Sequence, residues 1–290
     1  MEVRVDNSRV IYHRYGKGEP MLLVHGITTY SFIWDNLIQG LSSRYDVVVP
    51  DLLGCGESDF DAEDLSPGAQ AGMLVGLMDK LEIESAHMVT HDIGGAVGQI
   101  MAVSNPGRVR DLVMINTVGY DYWPVQPIVT FRVPILRQLA MAVMNKKLLR
   151  KVVERGVYHK DRVTEALMDD FYRPLEKPEG RQGFLKLAGS LDKMQLMDIK
   201  DEIHDLSMNV MIVRGDADPY LPPEISERLH ANIRGSRLER IETGGHFLQL
   251  DEPDWLVGLI MDFCREKPWR GARVHREFGD EDYRTISPGL

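Results

Sequence analysis

The stretch "HMVTHDIGGAVGQ", His87 to Gln99, sets a carboxylate between a strand-like run and a glycine-rich helix start. Its first half is short and largely apolar, as a strand in the middle of a parallel sheet is. Its second half opens with Ile93, Gly94 and Gly95 and continues at helical spacing. Asp92 therefore falls at a strand-to-helix turn. Taken alone, an aspartate there reads as an N-cap that accepts a hydrogen bond from the first N–H groups of the helix. What stands at the other strand ends decides whether it is more than that.

Upstream, "VRVDNSRVIYHRYG" (3–16) alternates as an antiparallel pair would, while "PMLLVHG" (20–26) and "YDVVVPD" (45–51) are continuous apolar runs suited to buried strands. "SFIWDNLIQGLSS" (31–43) and "LSPGAQAGMLVGLMDKLEIE" (65–84) read as helices, the latter with Pro67 near its start, where a missing N–H is tolerated. "DLVMINTV" (111–118) is a further strand. From 119 to 205 no strand pattern occurs, but "ILRQLAMAVMNKKLLRKVVERGV" (135–157) and "KDRVTEALMDDFY" (160–172) carry helical spacing. Alternation resumes with "NVMIVRGDADP" (209–219), "PPEISERLHANI" (222–233), "RLERIETGGH" (237–246) and "PDWLVGLIMDFCREK" (253–267). Strands alternating with helices imply an α/β fold, a mostly parallel sheet flanked by helices. Residues 1–118 and 206–267 form that core, 119–205 an inserted helical cap, and 268–290 a charged, aperiodic tail.

Composition narrows the partners. A net charge of −10 argues against nucleic acid. Two cysteines, Cys55 and Cys264, cannot build a disulfide framework and point to a reducing compartment. The first residues lack a signal-peptide core and no run approaches a membrane span, so the expectation is a cytoplasmic protein with no membrane partner. A homodimer is left open. His13, His87, His159, His204, His230 and His275 show no metal-ligand spacing, and "LGCGESD" lacks a Walker lysine. No metal and no cofactor are expected.

In open parallel sheets, ligands sit beyond the carboxyl ends of the strands. Those ends deliver "HGITT", "DLLGCGESD", "THDIGG", "GDADPYLP" and "GGHFLQLDEP". The order is a residue at a strand–helix elbow, an acid after a late strand and a histidine after the last, which is nucleophile, acid, base. On these five motifs the chain through about Lys267 resembles the α/β-hydrolase fold with a helical cap. The elbow of that fold usually reads Gly-x-Ser-x-Gly, whereas here Thr90-His91-Asp92-Ile93-Gly94 has aspartate in the serine position. That resembles the haloalkane dehalogenase and epoxide hydrolase branch.

The resemblance implies a catalytic set of Asp92, Asp218 and His246, with Asp216 the alternative acid. Asn116 stands where some dehalogenases carry the acid, which favours the later position. An aspartate is already ionised near neutral pH. It can attack an sp³ carbon directly, and histidine is then needed to activate water against the resulting ester. Backbone N–H groups of Ile27 and Ile93 are the expected oxyanion donors. Trp34, Trp123, Tyr172 and Phe247 are the expected substrate walls. Dehalogenases of this kind usually carry tryptophan after the nucleophile and often asparagine after "HG"; here both places are isoleucine. The expected substrate is a small, largely apolar epoxide or haloalkane/haloacid. An ester, lactone or C–C bond hydrolase or lyase, or a non-catalytic small-ligand binder, is the alternative.

Overall fold

Residues 1–265 are described in the computed structural model; the tail expected at 268–290 lies outside them. Eight strands share one sheet: β1 (Glu2–Val5), β2 (Ser8–Tyr15), β3 (Glu19–Val24), β4 (Tyr45–Pro50), β5 (Ala86–Asp92), β6 (Val109–Thr117), β7 (Asn209–Gly215) and β8 (Arg237–Ile241). Their spatial order is β1-β2-β4-β3-β5-β6-β7-β8. The pairs β1–β2 and β2–β4 are antiparallel and all others parallel. Every residue of β5 is buried, its polar His87, Thr90, His91 and Asp92 included.

The order matters for the site. After β3 the chain crosses to β4 on one side, whereas β5, on the other side of β3, leads on to β6. Neighbouring strands whose connections diverge leave a crevice at their carboxyl ends. Gly26 and Asp92 flank that crevice.

Helices α1 (Asp35–Leu41), α2 (Pro67–Lys80) and α3 (Ile93–Ser104) belong to the core. In α2 Pro67 occupies the first turn, and the Ser66 hydroxyl caps the Ala69 N–H. Three glycines in α3 each cost helix propensity, about 1 kcal/mol against alanine. They are tolerated because they let the helix lie close on the sheet. A Cβ on Gly95 would fall 1.8 Å from Thr117 Oγ1.

Between β6 and β7 the chain is helical: α4 (Leu136–Val143), α5 (Lys146–Gly156), α6 (Glu165–Tyr172), α7 (Pro178–Ser190) and α8 (Met194–Asp198), with no strand. The long pattern at 135–157 is two helices rather than one. Asn145 interrupts it in extended conformation, and its side chain caps the Leu148 N–H. The core closes with α9 (Pro223–Asn232), α10 (Leu248–Asp251) and α11 (Pro253–Phe263).

Candidate active site

Asp92 ends β5 at φ 52° and ψ −121°, a conformation that non-glycine residues seldom adopt. Packing holds it there. A Cβ on Gly26 would fall 2.5 Å from the Asp92 Cβ, so only glycine permits this approach. The two carboxylate oxygens then meet different surroundings. Oδ1 accepts a hydrogen bond from the Ile93 N–H at 2.5 Å, while Oδ2 lies 3.6 Å from His246 Nε2. The cap reading of Asp92 is therefore met by one oxygen only. The other faces a histidine.

On its far side His246 Nδ1 lies 2.9 Å from Asp218 Oδ2. Asp218 Oδ1 accepts from the backbone N–H groups of Tyr220 and Leu221 at 2.8 and 3.2 Å. Burial alone raises the Asp218 pKa, but His246 and those N–H donors outweigh it and hold the carboxyl below its usual range. For His246 burial works against the charge, yet Asp218 and Asp92 together carry its pKa up to about 10. The imidazole is thus a cation between two carboxylates at neutral pH. Asp216 turns away, to Arg240 at 2.9 Å and Arg214 at 3.7 Å.

Neighbouring side chains fix this arrangement. Asn116, at φ 38°, donates to the carbonyls of Gly245 and His246 at 2.7 and 2.9 Å and accepts from the Gly215 N–H. It ties the His246 loop to the end of β7, which leads to Asp218. His91 donates from Nε2 to the His246 carbonyl, its ring centroid 4.9 Å from that of His246. Burial, and then the His246 charge, push its pKa down to about 4, which keeps it neutral. His25 accepts from the Leu52 N–H and is held below its usual pKa by burial. Buried Asp251 accepts from Gly245 at 2.8 Å and from Tyr158 and His159 at 2.9 Å, joining the histidine loop to the helical insertion.

A cavity of about 260 Å³ lies between the insertion and two core loops. The core contributes Thr28, Thr29, Gly54, Cys55 and Gly56; the insertion contributes Ile128, Phe131, Met141, Met144, Leu148, Leu149, Val152, Phe171, Leu175 and Phe184 among others. Asp92 and His246 are not in its lining. The cavity reaches toward them through Thr28, two residues beyond Gly26, and through Phe171, packed edge-on against Phe247 at 5.2 Å. Burial pushes the Cys55 thiol pKa well up, so it lines the wall as a neutral side chain.

Of the expected walls, none of Trp34, Trp123, Tyr172 and Phe247 lines this cavity. Trp34 is sealed in the core. Trp123 gives its N–H to the Tyr120 carbonyl at 3.1 Å, so it has no donor left for a halide. The Tyr172 hydroxyl accepts from Arg181. Phe247 packs against His246 and His91 instead. Ile27 is buried, and of the two expected donors it is Ile93 whose N–H is bonded to Asp92.

At the opposite end of β5, ligand atoms of His87, Asp111 and Cys264 lie within 4.8 Å of one another. His87 Nδ1 is 2.7 Å from Asp111, whose other oxygen accepts from Asn209. These bonds describe a buried polar pair that spans three strands.

An elbow residue, a late acid and a final histidine at the ends of a mostly parallel sheet define a class. The chain belongs to the alpha/beta hydrolase fold family, which it matches over residues 19–253. Among named relatives, it is 26% identical over 271 residues to 2-hydroxy-6-oxo-2,4-heptadienoate hydrolase of Pseudomonas putida, covering 87% of this chain and 91% of that one. It is 25% identical to epoxide hydrolase 4 of Mus musculus, over 92% of this chain and 80% of the relative. An ancestral haloalkane dehalogenase, AncHLD2 (node 2), superposes with a TM-score of 0.78 at 26% identity, covering 91% and 99% of the two chains.

Proposed function

We propose that the protein is a hydrolase in which Asp92 is the nucleophile toward a small apolar epoxide or halogenated carbon. The observation that carries this reading is the division of labour between the two Asp92 oxygens. Oδ2, beside His246, attacks the sp³ carbon and forms an alkyl ester as the carbon–oxygen or carbon–halogen bond breaks. An opening epoxide oxygen takes its proton from the His246 cation; a halide leaves with that proton passing to solvent. Esterification removes one of the two carboxylates that hold the His246 proton, so the neutral imidazole can now act as base. It takes a proton from water as the hydroxyl adds to Cγ of Asp92. The charge that develops on Oδ1 is already against the Ile93 N–H. Collapse expels the product alkoxide, which takes the proton from His246, and the regenerated carboxylic acid returns one to the histidine.

In this reading the helical insertion acts as a cap whose apolar lining excludes water and selects apolar substrates. A second reading rests on that same lining. Among the described residues, neither a tryptophan nor a tyrosine lines the cavity. Its polar side chains are the threonines Thr28, Thr29 and Thr130, and no indole or phenol is set there to catch a halide or an opening oxygen. With Asp92 as a base, an ester, lactone or C–C bond would be the target, and the heptadienoate hydrolase relative suits that alternative.

Intact-mass measurement of His246→Ala after incubation with pooled epoxides, alkyl halides and esters separates the two. A stable adduct on Asp92 is the expected outcome with the alkyl halides, whose departure draws no proton from His246, and a slower one with the epoxides, which lose their proton donor in this variant. Substrate bound and consumed with no adduct at any time would remove Asp92 as the nucleophile.

A further inference from the structure

The rim of the cavity carries an unpartnered surface. Along α4, Ala140 and Met141 point inward and line the cavity, whereas Leu136, Leu139 and Val143 are 50%, 60% and 62% exposed. The spacing i, i+3, i+7 sets those three in one row on the outer side of the helix. Ile135, just before it, is 69% exposed at φ 70°, where a β-branched residue is strained. Apolar residues scattered singly on a surface need no explanation, but a continuous row does. Val143 is exposed and also lines the cavity, so the row ends at the mouth.

Charge distinguishes the same stretch. Residues 132–155 hold seven basic side chains and one acidic, Glu154, in a chain whose net charge is −10. Lys146 and Arg150 are engaged by Glu165, Asp169 and Glu154. Lys147 and Lys151 are exposed one turn apart on α5.

We propose that this face docks on an anionic lipid surface. The α4 row enters the acyl boundary, the basic residues meet the headgroups, and the cavity mouth opens toward the lipid. An apolar row flanked by lysine and arginine is the pattern of a helix that lies in a membrane interface. Pairing with a second copy would set two strongly basic stretches against each other. No helix among the described residues is long and apolar enough to cross a membrane, and surface docking requires none. A substrate dissolved in lipid would pass from one apolar phase to another without crossing water. The docking does not depend on the role of Asp92, because it is measured without turnover.

The test is co-sedimentation of the full chain with vesicles of phosphatidylcholine alone or mixed with phosphatidylglycerol, at low and high salt. The protein is expected on the mixed vesicles at low salt and largely released at high salt. Leu136→Ser with Leu139→Ser, neither of which lines the cavity, should weaken partitioning by roughly tenfold or more while leaving the melting temperature in place. Lys147→Glu with Lys151→Glu should abolish the preference for anionic vesicles. Absence of binding to either vesicle, or unchanged binding by either double variant, overturns the proposal. So does a dimer in light scattering that the double serine variant breaks, which would assign the face to a second copy.

Discussion

The floor of the site, at the carboxyl ends of the strands, and its roof, the helical insertion, are held by different forces. On the floor, buried polar groups are fixed by directional bonds: Asp218 by two N–H groups and an imidazole, Asn116 by three backbone groups. Such bonds set angles and distances closely and are costly to leave unmade. The cavity-facing roof is built from Met, Leu, Val and Phe side chains. Apolar contacts are non-directional and tolerate exchange of shape so long as volume is kept. Changes to the floor should therefore alter rate, and changes to the roof should alter which molecules are accepted.

The largest effect is expected at Asp92. Asp92→Asn should reduce turnover by at least about a thousandfold if the proposed role of Asp92 as nucleophile holds, since attacking group and charge are lost together. It should also lower the His246 pKa, which stands at about 10 against about 6.5 for an ordinary histidine. A raised pKa stabilises the fold fully below about 6.5, and that contribution is lost as pH rises through about 10. In the variant the alkaline loss should begin at lower pH. Histidine NMR titration and melting curves read both, and an unshifted His246 would sever the proposed link between the two side chains.

A smaller effect is expected at Asn116. Asn116→Ala leaves the Gly245 carbonyl and the Gly215 N–H without a partner, while the His246 carbonyl keeps His91, at about 1–3 kcal/mol for each buried group left unsatisfied. Stability should fall by about 2–4 kcal/mol and turnover by about 10- to 100-fold, because acid and base lose their mutual alignment. A lower melting temperature with turnover intact would reduce Asn116 to scaffold and blur the contrast between floor and roof.

The smallest effect should come from the roof. Leu148 lines the cavity yet is 37% exposed. Leu148→Ala should cost less than about 1 kcal/mol of stability and raise KM for bulky apolar substrates a few-fold, with kcat unchanged. A drop in kcat of the size seen at Asn116 would break the comparison, since the roof would then share in the chemistry.

The same contrast explains what could be read from sequence. Strands β3 to β7 announced themselves because strands buried on both faces are continuous apolar runs, and the motifs at their ends stand at fixed offsets from them. The late position of the acid was legible because Asn116 stands at the other place where an acid can fall, and the structure sets Asp218 rather than Asp216 on His246. The walls were not legible in that way. An exposed-looking aromatic such as Trp123 and a sealed one such as Trp34 look alike in sequence, whereas the true wall comes from helices whose placement depends on tertiary packing. Phe171, beside the anticipated Tyr172, faces the cavity because a helix turns 100° per residue. The break at Asn145 was missed for a related reason, since its cap competes with helix propensity only locally.

Asp251 carries a consequence for movement. Its carboxylate clasps Tyr158 and His159, just beyond α5, to Gly245, next to the base. Parting them would leave the buried Asp251 carboxylate with Gly245 alone of its three N–H donors, so this corner is a hinge pin rather than a door edge. The roof must swing, if it swings, from the α4 side, and the base keeps its place while the door stands open.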